Sequence, residues 1–224
     1  MTSQSLMMKS LFSASLALAA TLAFGTVSQA APIYVQMTDP VTGEFYSDSH
    51  HAGTGFLTAD DFVLGSTDTI RSVSWQGANG PAGAPGPDAF HINFYADPID
   101  SSSLIASFSV GTGFRFDSGK VVEGSGDVLY NYSANLSGAG FLAMAGTRYW
   151  ISIVNDAIVD PIDDWTWAGG FGGSGAGSFD NGATWFSQDS ATNFALDNQP
   201  VPEPATLALV GLGLVGLVRA RRRT

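Results

Sequence analysis

Between residues 31 and 200, hydrophobic positions recur with period two in short runs, and Gly, Pro, Asn, Asp and Ser separate the runs. Alternate residues of an extended chain point to opposite faces, so this pattern predicts half-buried strands, and no stretch keeps a helical period. Strands are expected over Ile33–Gln36, Asp61–Leu64, Ile70–Gln76, Phe90–Ala96, Leu104–Val110, Val128–Ser133, Arg148–Val154, Trp165–Trp167, Thr184–Ser187 and Asn193–Leu196. Phe90, Ile92 and Phe94 fall on one face, with His91, Asn93 and Tyr95 opposite. Tyr149, Ile151 and Ile153 likewise oppose Trp150 and Val154. Nine or ten short strands with such turns predict an all-β body, an antiparallel β-sandwich of jelly-roll type. Two segments are expected to be exposed loops: the Gly/Pro-rich stretch Gly77–Pro87, and Gly169–Gly177, with six glycines in nine residues.

The pattern changes at both ends. Lys9 precedes an apolar run, Leu11–Val27, that closes on Ser28-Gln29-Ala30. A basic start, an apolar middle and small residues at the cut describe a secretory signal peptide over residues 1–30, removed by signal peptidase between Ala30 and Ala31. The cluster Met7-Met8-Lys9 is compatible with a start at Met1, Met7 or Met8. At the other end Val201-Pro202-Glu203-Pro204 precedes the charge-free run Ala205–Val218 and then Arg219, Arg221, Arg222 and Arg223. Fourteen helical residues span roughly 21 Å against a hydrocarbon core of about 30 Å. The arginines can snorkel and act as a stop on the cytoplasmic side, and the prolines keep the helix from running back into the body. A short membrane-inserted C-terminal helix is expected.

Composition narrows the class. The chain has no cysteine, so an exported body must hold itself together by burial and hydrogen bonds. Residues 31–200 carry 4 cations, Arg71, Arg115, Lys120 and Arg148, against 19 acids. Such a surface repels nucleic acid and suits a low-charge polymer or divalent cations. Seventeen of the acids are aspartates, which also favour turns.

The C-terminal constellation resembles the PEP-CTERM sorting tail of Gram-negative bacteria, on Val201, Pro202, Glu203 and Pro204, the apolar run and the Arg219–Arg223 cluster. The resemblance implies an exosortase-type protease as partner, inner-membrane anchoring before cleavage near Pro-Glu-Pro, and delivery to the cell surface or extracellular matrix, often beside exopolysaccharide. The order of Asp60-Asp61-Phe62, Ile70–Trp75, Phe90–Tyr95, Tyr149–Ile153 and Phe194–Asp197 also looks like the β-sandwich ectodomain of such proteins, whose members mostly lack an assigned activity.

Candidate chemistry is sparse. Asp160, Asp163 and Asp164, in an Asp-Pro-Ile-Asp-Asp turn, offer the oxygens that calcium takes, or form a solvated turn; Asp97 and Asp100 repeat the pattern. Trp165 and Trp167 beside them are the residue type that stacks on sugar rings, and also the type that fills sandwich cores. His50, His51 and His91 show no metal or triad spacing, no Gly-x-Ser-x-Gly elbow is present, and Glu44 and Glu123 are the body's only glutamates. The sequence therefore predicts three segments: a signal peptide (1–30), a β-sandwich ectodomain (31–200) and a sorting tail (201–224). The expected role is structural or binding rather than enzymatic, with no cofactor beyond calcium. A calcium-dependent carbohydrate-binding module and a secreted hydrolase are the alternatives.

Overall fold

The computed structural model describes residues 31–36, 43–50, 54–79, 88–97, 99–156, 164–171, 174–189 and 191–201. The signal sequence with Ala30, the expected C-terminal helix, Pro202, Glu203, Pro204 and Arg219–Arg223 lie outside the described residues, as do His51, Asp160 and Asp163. Among the described residues no helix is long and apolar enough to cross a membrane.

Sixteen strands are present among the described residues: β1 (Tyr34–Gln36), β2 (Glu44–Tyr46), β3 (Leu57–Val63), β4 (Asp68–Ile70), β5 (Ser72–Asn79), β6 (Phe90–Ala96), β7 (Leu104–Gly111), β8 (Phe114–Val121), β9 (Val128–Asn135), β10 (Phe141–Ala143), β11 (Arg148–Asn155), β12 (Trp165–Gly170), β13 (Gly175–Ser178), β14 (Phe186–Gln188), β15 (Ala191–Thr192) and β16 (Phe194–Asp197). One sheet runs β1-β16-β5-β12-β15, with β9 also paired to β5, β8 to β9 and β2 to β12. The other runs β14-β13-β3-β11-β6-β7, and β10 pairs with β4 in a small separate sheet. All these ladders are antiparallel.

The two large sheets close on an aromatic core. Phe90 of β6 meets Trp75, Tyr132 and Trp165 of the facing sheet edge-on at 5.2, 5.0 and 5.0 Å, and Trp75 and Tyr132 stack on each other across neighbouring strands at 5.5 Å. Phe62 of β3 forms a second joint with Tyr34 and Phe194. Edge-to-face and offset rings add to the burial term, so these joints fix how the sheets face as well as how tightly they bind.

A carboxylate also crosses the core. Asp60 lies on the same face of β3 as Phe62 and is fully buried. Its oxygens accept from Gln36 Nε2 (2.7 Å), Thr192 N (2.5 Å), Thr192 Oγ1 (3.1 Å) and Asp61 N (2.8 Å). Gln36 and Thr192 belong to the opposite sheet, so Asp60 braces one layer against the other. Burial outweighs these bonds and pushes its carboxyl up from 3.8 to about 7.

Several expectations need correction. The strand expected over Ile70–Gln76 divides at Arg71 into β4 and β5, which join different sheets. Gly77–Asn79, read as the start of a loop, completes β5 and pairs with both β9 and β12. A Cβ on Gly77 would lie 2.5 Å from the Trp165 ring and 2.7 Å from the Thr166 carbonyl, so glycine marks a close approach here. Gly169 and Gly170 end β12, and Gly175–Ser178 is the buried strand β13, not an exposed loop. Among the described residues β2, β8, β10, β13 and β15 were not anticipated.

Candidate functional site

The two tryptophans expected to stack on sugar form no exposed platform. Trp165 and Trp167 are both 0 % exposed, inside the core, and Trp167 Nε1 donates to the Asn193 carbonyl at 2.8 Å. Neither ring offers a face to a sugar; the alternation of β12 turns both inward. Asp164 is half-buried, while its expected metal partners Asp160 and Asp163 lie outside the described residues. Among the described residues no group of three His, Cys, Asp or Glu is arranged to hold a metal ion. Asp97 accepts from Trp150 Nε1 at 3.0 Å, and Asp100 caps the next turn through Ser102 N at 2.7 Å. Both aspartates therefore have structural work.

Chemistry gathers instead on the outer face of the second sheet. A cavity of about 320 Å³ there is lined by His91, Asn93 and Tyr95 of β6, Ser107 of β7, Leu57 of β3 and Val154 of β11, together with Ser49, Asp156 and Asn181 from connecting segments. Period two places His91, Asn93 and Tyr95 together because Phe90, Ile92 and Phe94 occupy the core. The connecting segments are pinned by backbone bonds. Ser49 N donates to Asn155 O at 3.0 Å, Asn155 N to Ser47 O at 2.9 Å and Asp156 N to Ala89 O at 2.9 Å. Asp48 is buried beneath and accepts from His50 N at 2.8 Å, and burial raises its carboxyl above the usual range.

Asp156 is the hub. Its two oxygens lie 3.6 Å from His50 Nδ1 and 3.7 Å from His91 Nε2, and the Ser49 hydroxyl donates to it in a short hydrogen bond. The His91 and Asp156 side chains are 36 % and 40 % exposed, so a solute can reach them. Serine, histidine and aspartate are thus assembled, but not as a relay. Ser49 Oγ lies 3.0 Å from His50 Nδ1, the same ring nitrogen that faces Asp156. A triad needs the base between nucleophile and acid, one nitrogen to each. The cluster is equipped to give and accept hydrogen bonds, with Leu57, Val154 and the Tyr95 ring as an apolar floor.

An exposed aromatic row lies along the β13–β14 edge of the same sheet, with Phe186 paired to Gly177 on the face opposite Leu57 and the cavity. Phe179 (63 % exposed) stacks on Phe186 (38 % exposed) at 4.8 Å and meets Phe56 edge-on at 4.6 Å, and Phe56 meets Tyr46 at 6.3 Å. Asn181, in the same turn, adopts φ 59° and donates to the Ser49 carbonyl at 3.4 Å, joining row and cavity. Sequence reasoning passed over Ser49, Asp156, Asn181, Phe179 and Phe186, because each stands outside a long alternating run. The outward series His91, Asn93, Tyr95 was the legible part of the site.

The family model of the PEP-CTERM protein-sorting motif matches residues 200–223. No curated protein and no solved structure matches the chain. The motif carries export, membrane anchoring and processing by an exosortase with it. Residues 200–223 thus carry a PEP-CTERM protein-sorting motif, in a chain whose described residues form an all-β body.

Proposed function

We propose that the all-β body is a binding module of the cell surface or extracellular matrix, and that it engages an uncharged polysaccharide at the His91–Asn93–Asp156 cavity without turning it over. One observation carries this reading: amide, imidazole, carboxylate and hydroxyl groups converge in an open cavity that the Tyr95 ring also lines. Sugar rings offer hydroxyls at their edges and apolar C–H faces, and a site with polar groups and an aromatic ring complements both. Charge supports the choice of ligand, because 19 acids against 4 cations over residues 31–200 disfavour an acidic polymer. The wiring of Ser49, His50 and Asp156 favours binding over hydrolysis. The body is read as a jelly roll, since β1-β16-β5-β9 and β3-β11-β6-β7 are the neighbour orders of two interlocked Greek keys. In this reading the Gram-negative inner membrane is the starting point, and calcium at Asp160, Asp163 and Asp164 is not required.

Affinity electrophoresis of the exported chain through gels containing neutral or acidic polysaccharide tests the proposal. Retardation by a neutral polymer, unchanged by chelator and lost in Asp156→Ala, is expected. Equal mobility in every gel overturns it, and turnover of the polymer overturns the non-enzymatic part.

A further inference from the structure

The fold holds its own chain up to the first residue of the sorting motif. After β16, the Gln199 carbonyl accepts from Ser72 Oγ at 2.7 Å, and Asn198 Nδ2 donates to Asp68 Oδ2 at 2.9 Å. Gln199 N donates to Asp197 Oδ1 at 2.8 Å. Then Asn135, the last residue of β9, holds both backbone polar groups of Val201: Val201 N donates to Asn135 Oδ1 at 2.6 Å, and Asn135 Nδ2 donates to Val201 O at 3.1 Å. A side-chain amide here reproduces the two bonds that a neighbouring strand would make. Val201 is half-buried, and the next residue is Pro202.

Length makes this grip consequential. From Val201 to Ala205, where the apolar run begins, is four residues, which span at most about 14 Å when fully extended. A single helix with its side chains is already about 10–12 Å across. A protease that surrounds an extended substrate needs walls on both sides of it, and the gap between body and bilayer admits little more than one helix. Freeing residues 198–201 adds about another 14 Å and doubles the reach.

We infer that Asn135 is a catch on the sorting tail: processing by the exosortase requires the Asn135–Val201 pair to open and the 198–201 segment to leave the body. The inference rests on the sorting motif and the geometry of Val201, and is independent of polysaccharide binding. Two hydrogen bonds hold the catch, so their loss shifts its opening equilibrium by about tenfold or more.

The test uses the full chain in membranes that contain an exosortase, with conversion of precursor to mature protein followed by pulse-chase and the mature C-terminus read by mass spectrometry. Asn135→Ala is expected to convert about tenfold faster than the natural chain. An eight-residue insertion after Val201, seven Gly/Ser residues and then a valine so that an unbroken Val-Pro-Glu-Pro follows, is expected to do the same with the body's contacts intact, and Asn135→Ala added to the insertion should give no further gain. Conversion of Asn135→Ala at the natural rate or slower overturns the inference, as does an insertion that fails to accelerate processing. If Asn135→Ala loses its cooperative thermal transition, the insertion decides alone.

Discussion

Strand β6 presents two chemistries from seven residues. Phe90, Ile92 and Phe94 on its inner face are fully buried, and Phe90 alone touches three rings of the opposite sheet. His91, Asn93 and Tyr95 on its outer face line the polar cavity. The inner face repays shape: its rings gain from burial and edge-to-face geometry, and any change leaves a void. The outer face repays access at His91 and Asn93, which stay half-buried, while Tyr95 packs with Trp150 and Trp185. Residue type therefore did not identify the site. The tryptophans most suited to sugar stacking went inside, while phenylalanines at a turn stayed outside.

Substitutions sharpen that contrast, and the largest effects belong to the interior. Trp165→Ala should cost about 3–5 kcal/mol in denaturant unfolding, because it removes a ring packed on Phe90 and Tyr132. Asp60→Ala should cost about 3 kcal/mol by stranding the donors of Gln36 and Thr192. Asp60 also sets a pH dependence. Its folded carboxyl titrates near 7 and its unfolded one near 3.8, so between these values the native state holds a proton that the unfolded chain has lost. Stability should fall as pH rises from about 4 to about 7, by on the order of 4 kcal/mol, and level off above. Asp60→Asn should flatten that slope, and an unchanged slope would assign it elsewhere.

Gly77→Ala should cost about 1–3 kcal/mol, since its methyl group would meet the Trp165 ring and the Thr166 carbonyl. The smallest stability effect is expected on the outer face. His91→Ala should move the unfolding midpoint by no more than about 0.5 kcal/mol and yet abolish retardation by neutral polysaccharide. A large loss of stability without loss of retardation would reverse the roles given to the two faces.

Much of this architecture was legible in advance, and for a simple reason. Period two is a backbone property, so β6, β7 and β11, with seven or eight alternating residues, could be placed almost to the residue. The losses have equally local causes. Gly77 and Gly170 read as loop because glycine disfavours strands in isolation, whereas here its missing side chain admits Trp165 or a neighbouring backbone. Asp60 fell just outside the strand expected over Asp61–Leu64, because nothing near it in sequence announces Gln36 and Thr192. The cavity joins residues as distant as Ser49 and Asn181, and only strand pairing across the sheet brings them together. The tail was the reverse case, for its signal lies in the order of contiguous residues, and the family match at 200–223 rests on the same stretch.

The contrast between the two faces can be read in one NMR titration of the exported chain with a neutral oligosaccharide. The chain has 3 histidines and 5 tryptophans, few enough to resolve individually. The account predicts that the His50 and His91 ring signals shift in a saturable way while the indole N–H signals of Trp165 and Trp167 stay still. Saturable shifts at Trp165 and Trp167 with silent histidines would contradict it.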